Sequence, residues 1–366
     1  MPLHSKLTVP EPRKSEGIAE IDETEFKRRF EDRFKDPLYD RMRAQVHELA
    51  NIAWDAHKKG NKAPFTRKAG ACYKDPDYDI SVDWLNTKEA IDKARLEQEN
   101  PATKSKILVI SGANRNDKTC PGEVSKSRRL AQIAQETIEK EFGYDAELLD
   151  LSLVTSEFGK QIHPCKGCVS TAMPLCHFPC SCYPNYSLGQ NVDWMNEIYP
   201  KWVGAHGIII VTPVYWYQTP SALKLMIDRL VCADGGNTDP SSTHGKKAKE
   251  AKEIEADGWD FPKHLKGRAF GLVVHGDSGG TDHVRTSLSS WARDMQLINS
   301  GNLGEVSRYI GYYEPYYLSH QTLDKDTAMQ EEARNVARSV SMTIKGLREE
   351  HIEKFVSPDL KDPRPK

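Results

Sequence analysis

Residues 163–182 read HPCKGCVSTAMPLCHFPCSC and carry five of the chain's eight cysteines, Cys165, Cys168, Cys176, Cys180 and Cys182. Thiolates at this density can ligate a metal or an iron–sulfur cluster, or can serve as redox-active thiols. The opening C-x2-C spacing suits a metal site. Seven residues then precede Cys176, three precede Cys180 and one precedes Cys182, unlike a compact C-x2-C-x2-C run. A zinc site usually shows two C-x2-C pairs; here the second pair is C-x-C, with His163 or His177 available to complete a set. The pattern reads first as free or transiently redox-active thiols, with an iron–sulfur cluster and zinc as the alternatives. Prolines at 164, 174, 179 and 184 make the stretch a turn-rich loop in all three cases. Cys72, Cys120 and Cys232 stand apart and read as small buried or neutral residues.

Three other segments carry binding chemistry. SGANRNDKTCPGEVSKSRRL, residues 111–130, sets Ser111, Asn114, Arg115, Lys118, Thr119, Ser125 and Ser127 between a strand end and a helix start. Backbone N–H groups at a helix N-terminus, with hydroxyls beside them, suit a phosphate monoester. The segment is neither G-x-G-x-x-G nor G-x-x-x-x-G-K-[ST], so dinucleotide and ATP readings lose their usual support. In TPVYWYQTPSALKLMIDRL, Pro213 and Pro220 bracket Tyr215, Trp216 and Tyr217, which suits a planar heterocycle with polar edges. In VVHGDSGGTDHVR, glycines at 276, 279 and 280 let the backbone approach a ligand closely.

These segments need a frame. Strands are expected at KILVIS, YDAELLDL, HGIIIVT, GRAFGLVVHG and, fifth, LINSGNL, with helices at SKSRRLAQIAQETIEKEF, PSALKLMIDRLV and TDHVRTSLSSWARDMQ. Short apolar runs alternating with amphipathic helices predict an α/β fold, a doubly wound parallel sheet with helices on both faces. A ligand then sits outside the carboxyl ends of the strands, where all three segments begin. Before this frame, Phe26, Phe30, Phe34, Leu38 and Met42 recur every four residues, and Val46, Leu49, Ile52 and Ala53 follow the Asp36-Pro37 break. Two amphipathic helices are expected there, packing on the main domain or on a partner subunit, and SVDWLNTKEAIDKARLEQ reads as one more helix. The division along the chain is a helical N-terminal extension and linker at 1–103, a main domain at 104–348 with a charged insertion at 233–264, and a polar tail at 349–366.

Lys and Arg number 51 against 53 Asp and Glu, which gives no electrostatic reason to expect nucleic acid or an anionic membrane as a partner. The first twenty residues lack the apolar core of a signal peptide, and GIIIVTPVYWY is too short to span a bilayer. The chain reads as soluble and cytoplasmic.

SGANRN…SKSRRL, CKGC, GIIIVTPVYWYQTPSALKLMIDR and VVHGDSGG resemble the flavodoxin-like, NADPH-dependent FMN reductase family over residues 104 to 300. The resemblance implies a five-stranded flavodoxin-like sheet of order 2-1-3-4-5 with FMN at the switch point. It assigns the phosphate to Ser111, Arg115, Ser125 and Ser127. The ring falls to Pro213, Val214, Tyr215, Trp216 and Tyr217 on one side and to Gly276, Asp277 and Gly279 on the other. It implies an FMN-dependent oxidoreductase that passes hydride from NAD(P)H to a small acceptor such as a quinone or free flavin, assembled as a homodimer or homotetramer. Tyr215 and His275 are the available proton donors, and His275 reads first as a satisfied structural histidine. The iron–sulfur flavoproteins among the relatives place a cubane cluster near CKGC, which gives an electron carrier as the alternative; a non-catalytic binding module of the same fold is the other. The first loop departs from the family's short form by the insertion NDKTCPGEV, and the insertion at 233–264 reads as a flap over the ring. RYIGYYEPYY, near 308–317, reads as substrate opening, subunit contact or core.

Overall fold

A computed structural model of the chain describes residues 9–11, 13, 21–60, 62–120, 122–349, 360 and 363–364. Most of the first twenty residues and of the tail at 349–366 lies outside the described residues. In chain order come α1 (Glu23–Glu31), α2 (Arg43–Lys59), β1 (Thr66–Lys68), β2 (Asp79–Ser81) and α3 (Val82–Glu99). Alternation follows with β3 (Lys106–Ser111), α4 (Lys126–Thr137), β4 (Asp145–Asp150), α5 (Met195–Gly204), β5 (Gly207–Pro213) and α6 (Ser221–Arg229). The rest is α7 (Ala248–Gly258), β6 (Ala269–Gly276), α8 (Thr281–Asp294), β7 (Ile298–Asn299), β8 (Glu305–Tyr309), α9 (Ser319–Lys325) and α10 (Thr327–Glu349). Among the described residues no helix is long and apolar enough to cross a membrane.

These elements gather into two compact units. The larger comprises Thr87–Cys165, Trp194–Gly236 and Phe261–Lys366. Its sheet runs β4-β3-β5-β6, all parallel, with β7 and β8 both on the outer edge of β6. The expected order 2-1-3-4-5 is the observed one. The fifth place needs a correction: LINSGNL supplies only the two-residue β7, and most of that edge is β8, so the sheet has six strands. β8 is half exposed and lacks an apolar run, which hides it from periodicity.

KILVIS forms β3 because both faces are covered: Ile107, Leu108, Val109 and Ile110 are all buried. Each such side chain contributes about 1.5–3 kcal/mol relative to exposure. α10 closes one face with Met329, Ala333, Val336, Val340 and Ile344. Two strand glycines admit it. A Cβ on Gly207 would stand 2.7 Å from Ile344 Cδ1, and one on Gly271 would stand 2.7 Å from both Val336 Cγ1 and Val340 Cγ2.

The smaller unit comprises Met1–Asn86, Lys166–Asp193 and Asn237–Asp260. It differs from the linear division, because the cysteine loop and most of the insertion at 233–264 gather with the N-terminal helices. Hydrogen bonds across these pieces show why. Trp84 Nε1 donates to Pro179 O at 2.8 Å, Tyr186 N to Lys62 O at 2.8 Å, and Lys74 N to an Asp239 carboxylate oxygen at 2.9 Å. α1 and α2 pack through Phe26 and Trp54, whose ring centroids are 5.3 Å apart. Asp36 caps the turn that Pro37 starts, as the sequence break suggests. The apolar stripe is only partly covered, for Leu38, Met42, Leu49 and Ile52 remain exposed.

Replacing Gly271 by valine is expected to destabilise the larger unit by about 1–3 kcal/mol, since the new side chain must displace α10. Denaturant unfolding checks this, and an unchanged midpoint would contradict the close sheet–helix contact.

Candidate active site

β3, β5 and β6 end at one edge of the sheet, and a cleft of about 630 Å³ opens there. A Cβ on Gly112 would meet Thr212 Oγ1 at 2.8 Å, so glycine lets the first and second loops leave the sheet side by side. Asn114 ties them together. Its amide donates to Ser221 Oγ at 2.8 Å, and its Oδ1 accepts from Ala222 N at 3.2 Å, capping α6. The inserted segment is pinned by Asn116, whose amide donates to Ser152 Oγ at 2.8 Å and Ser156 Oγ at 2.7 Å. Ser125 then caps α4, its Oγ accepting from Arg128 N at 3.2 Å.

Two cations line this wall. Arg115 lies 3.2 Å from Glu123 Oε2 and 3.2 Å from His320 Nε2. Lys126 is half-buried and reaches Ile310 O only at 3.4 Å. Burial pushes the Lys126 ammonium below its ordinary value; Asp277 opposes that shift and Arg115 adds to it.

The second loop turns tightly. Val214 N donates to His275 O at 2.9 Å, and Tyr215 and Gln218 exchange backbone hydrogen bonds of 2.9 Å each way. Trp216 and Tyr217, at φ of 46° and 63°, occupy the left-handed region that side chains rarely adopt. That turn separates the three rings. Tyr215 faces the cleft, Trp216 is 93% exposed, and Tyr217 lies over Gly280, where a Cβ would stand 3.1 Å from Tyr217 Cδ1. Burial raises the Tyr215 phenol above its ordinary value.

His275 ends β6 among apolar neighbours, with Nε2 2.8 Å from Ser127 Oγ. Burial, with Lys126 nearby, pushes its imidazole down to about 3, so it is neutral at ordinary pH.

Of the residues singled out in the sequence, Arg115, Ser125, Ser127, Pro213, Val214, Tyr215, His275, Gly276 and Asp277 line one cleft. Ser111, Trp216, Tyr217 and Gly279 do not. Ser111 Oγ is buried at the end of β3 without a hydrogen-bond partner, and Gly279 borders a separate shallow pocket. Sequence reasoning missed Lys126, although it stands inside SKSRRL, and also Ser319 and His320; Ile310 lies within the singled-out RYIGYYEPYY. Tyr316 and Tyr317, from the tyrosine-rich segment, are on the cleft wall.

In the smaller unit, Cys176, Cys180 and Cys182 are buried and Cys168 is half-buried. Cys168 Sγ stands 3.5 Å from Cys182 Sγ. The charges of all four thiols raise the Lys246 ammonium against its burial. Cys165 belongs to the larger unit. His177 is engaged away from the thiols, its two ring nitrogens meeting Ser181 Oγ at 2.6 Å and Thr243 Oγ1 at 2.8 Å. Among the described residues no group of three or more His, Cys, Asp or Glu is arranged to hold a metal. Of the isolated cysteines only Cys232 is buried; Cys72 and Cys120 are exposed, both being on loops.

Residues 105–305 match the family described as NADPH-dependent FMN reductase. A stretch of 126 residues is 29% identical to an iron–sulfur flavoprotein of Methanosarcina thermophila, covering 34% of this chain and 52% of that protein. The chain thus spans about half the length of that curated relative. Among solved structures, RosB with a bound 8-demethyl-8-formylriboflavin-5'-phosphate intermediate aligns with a TM-score of 0.47 at 15% identity, over 72% of this chain and 93% of that one. A WrbA-like flavodoxin from Agrobacterium tumefaciens aligns with a TM-score of 0.35 at 12% identity, over 66% and 98%.

The neutral His275 links stability to pH. Its folded pKa lies below the unfolded value, so its contribution is complete above about pH 6.5 and is lost as pH falls toward 3. His275→Asn is expected to flatten the fall in unfolding free energy over that window by up to about 1.4 kcal/mol per pH unit. Denaturation at a series of pH values measures the slope, and equal slopes would contradict a neutral buried imidazole.

Proposed function

We propose that the chain, which belongs to the NADPH-dependent FMN reductase family, is an FMN-dependent oxidoreductase that passes hydride from NAD(P)H through the flavin to a small acceptor such as a quinone or free flavin. One observation carries the reading. Arg115 and the half-buried Lys126 stand beside the Ser125-capped N-terminus of α4, in a cleft at the carboxyl edge of a parallel sheet. A phosphate dianion there compensates the burial of Lys126 and completes the helix end.

The donor set fits FMN. Ser125 and Ser127 offer hydroxyls to the phosphate, with Arg115 and Lys126 as its counter-charges. A neutral His275 with its proton on Nε2 donates to Ser127 Oγ and leaves the serine hydrogen free to turn toward an anion. His275 is then a positioning residue and not an acid. Pro213, Val214, Tyr215, Gly276 and Asp277, which line the same cleft, would hold the ring. Tyr215, held protonated by burial, can donate a hydrogen bond to a bound acceptor. The flavin, when bound, supplies the electron-accepting chemistry.

Cys168, Cys176, Cys180 and Cys182 have the donor chemistry of a cluster site, and the matched relative is named an iron–sulfur flavoprotein. As they stand they are not arranged to hold a metal.

FMN added to the protein should bind with quenching of its fluorescence, and NADPH should bleach it without air and without a protein donor. Lys126→Ala should weaken FMN binding about tenfold to a hundredfold, as loss of a charged hydrogen-bonding partner does. A folded protein that ignores FMN would refute the reading. Stoichiometric iron and sulfide in the same anaerobic sample would instead identify a cluster-bearing electron carrier.

A further inference from the structure

The cysteine loop sits in the smaller unit, away in sequence from the loops that build the cleft, and the proposed flavin chemistry makes no use of it. Its geometry is specific. Cys168 follows Gly167, whose φ of 64° turns the chain so that Cys168 begins a short 3-10 turn ending at Ser170. Cys182, fourteen residues on, is buried, and its Sγ approaches Cys168 Sγ to 3.5 Å. The two sulfurs are thus in contact, one half-exposed and one covered. Lys246 fixes the electrostatics, its ammonium donating to Leu175 O at 2.8 Å and facing the thiols of Cys168, Cys176, Cys180 and Cys182.

The Cys168 thiol is pushed down to about 7, chiefly by the hydrogen bond with Cys182 and then, against its burial, by Lys246; Cys176 and Cys180 oppose the shift. Lys62 extends the positive surroundings: burial pushes its ammonium down, Lys246 and Lys166 add to that shift, and Cys182 and Cys180 oppose it. Lys166 Nζ lies 4.9 Å from the Tyr183 ring centroid, next to Cys182 in sequence. A partly accessible thiol, a covered thiol in contact with it and a basic rim are the parts of a dithiol exchange site for an anionic partner.

We propose that Cys168 and Cys182 form a dithiol–disulfide exchange site that reduces small anionic disulfides, with Cys168 the attacking and Cys182 the resolving thiol. The Cys168 thiolate attacks one sulfur of the substrate disulfide, forming a mixed disulfide and expelling the other half as a thiolate. The Cys182 thiol gives up its proton and attacks Cys168 Sγ, forming the Cys168–Cys182 disulfide and releasing the second half. The substrate gains two electrons and two protons, and the pair loses them. The site is independent of the flavin reading, since neither step involves the cleft.

The test uses the full chain and oxidised glutathione, with cationic cystamine as the comparison disulfide. Peptide mass mapping should show one new disulfide joining Cys168 and Cys182. Cys182→Ser should accumulate a glutathione adduct at Cys168, and Cys168→Ser should give neither product. Glutathione disulfide should react at least severalfold faster than cystamine at low salt, and the difference should shrink as salt is raised. Lys246→Gln should move the half-rate pH for Cys168 upward from about 7 toward the ordinary thiol range. An adduct on another cysteine, equal reaction in Cys168→Ser, or a pair in folded protein that stays inert while a free thiol reacts would overturn the assignment. So would stoichiometric iron on these cysteines. Cys182→Ala serves as the second trapping variant if the serine fails to fold.

Discussion

Parallel alignment with both faces buried is the constraint on which the larger unit depends. β5 is buried from Gly207 to Thr212, so neither of its faces can be left to water and helices must return on both sides. Parallel pairing then sends every βα loop to the same edge. The registers align the loops closely: Ser111 pairs with Val211, Pro213 with His275, and Gly276 with Tyr309. Four segments far apart in sequence therefore begin at one level, and the cleft follows from the sheet. The glycines at 207 and 271 serve the same constraint, since side chains there would hold α10 off the strands.

The cleft is polar where the helix ends and apolar where the sheet ends. Arg115 and Lys126 give it positive charge, while Glu123 and Asp277 keep that charge from standing alone. His275 is buried at the sheet end, and that burial, with Lys126 nearby, pushes its imidazole down to about 3. The balance suits a ligand with one charged end and one planar end. In the smaller unit the roles are reversed: Lys246 faces four thiols, whose charges raise its ammonium against its burial.

Much of this was legible in the sequence because buried parallel strands leave continuous apolar runs. KILVIS, HGIIIVT and GRAFGLVVHG mark β3, β5 and β6 within two residues, and the first residues of each following loop could be named. β8 was not legible, since an edge strand with one exposed face carries no such run. α10 was legible though not anticipated: Met329, Ala333, Val336, Val340 and Ile344 recur at helical spacing, with small and polar residues such as Ala337, Ser339 and Thr343 buried between them. Arg115 and Ser125 were found because they stand in the first loop, whereas His320 reaches the cleft only through the tertiary path of β8 and α9. The aromatic triplet misled because spacing shows which rings are adjacent but not that a turn at positive φ sends Trp216 outward. Residues 62–84, 166–193 and 237–260 gather into one unit through contacts over long sequence separations, such as Trp84 with Pro179, Lys74 with Asp239, and Ala172 and Leu175 with Ala251, which no local pattern reports.

In the proposed reading, loops from one sheet edge hold FMN. Hydrogen–deuterium exchange followed by mass spectrometry, with and without FMN, tests it on the whole chain. Binding should slow exchange in residues 111–127, 213–217 and 276–280 and in the neighbouring 310–320, while the strands beneath and the smaller unit's α1 and α2 stay unchanged. Protection confined to other segments, or none at saturating FMN, would contradict the claim.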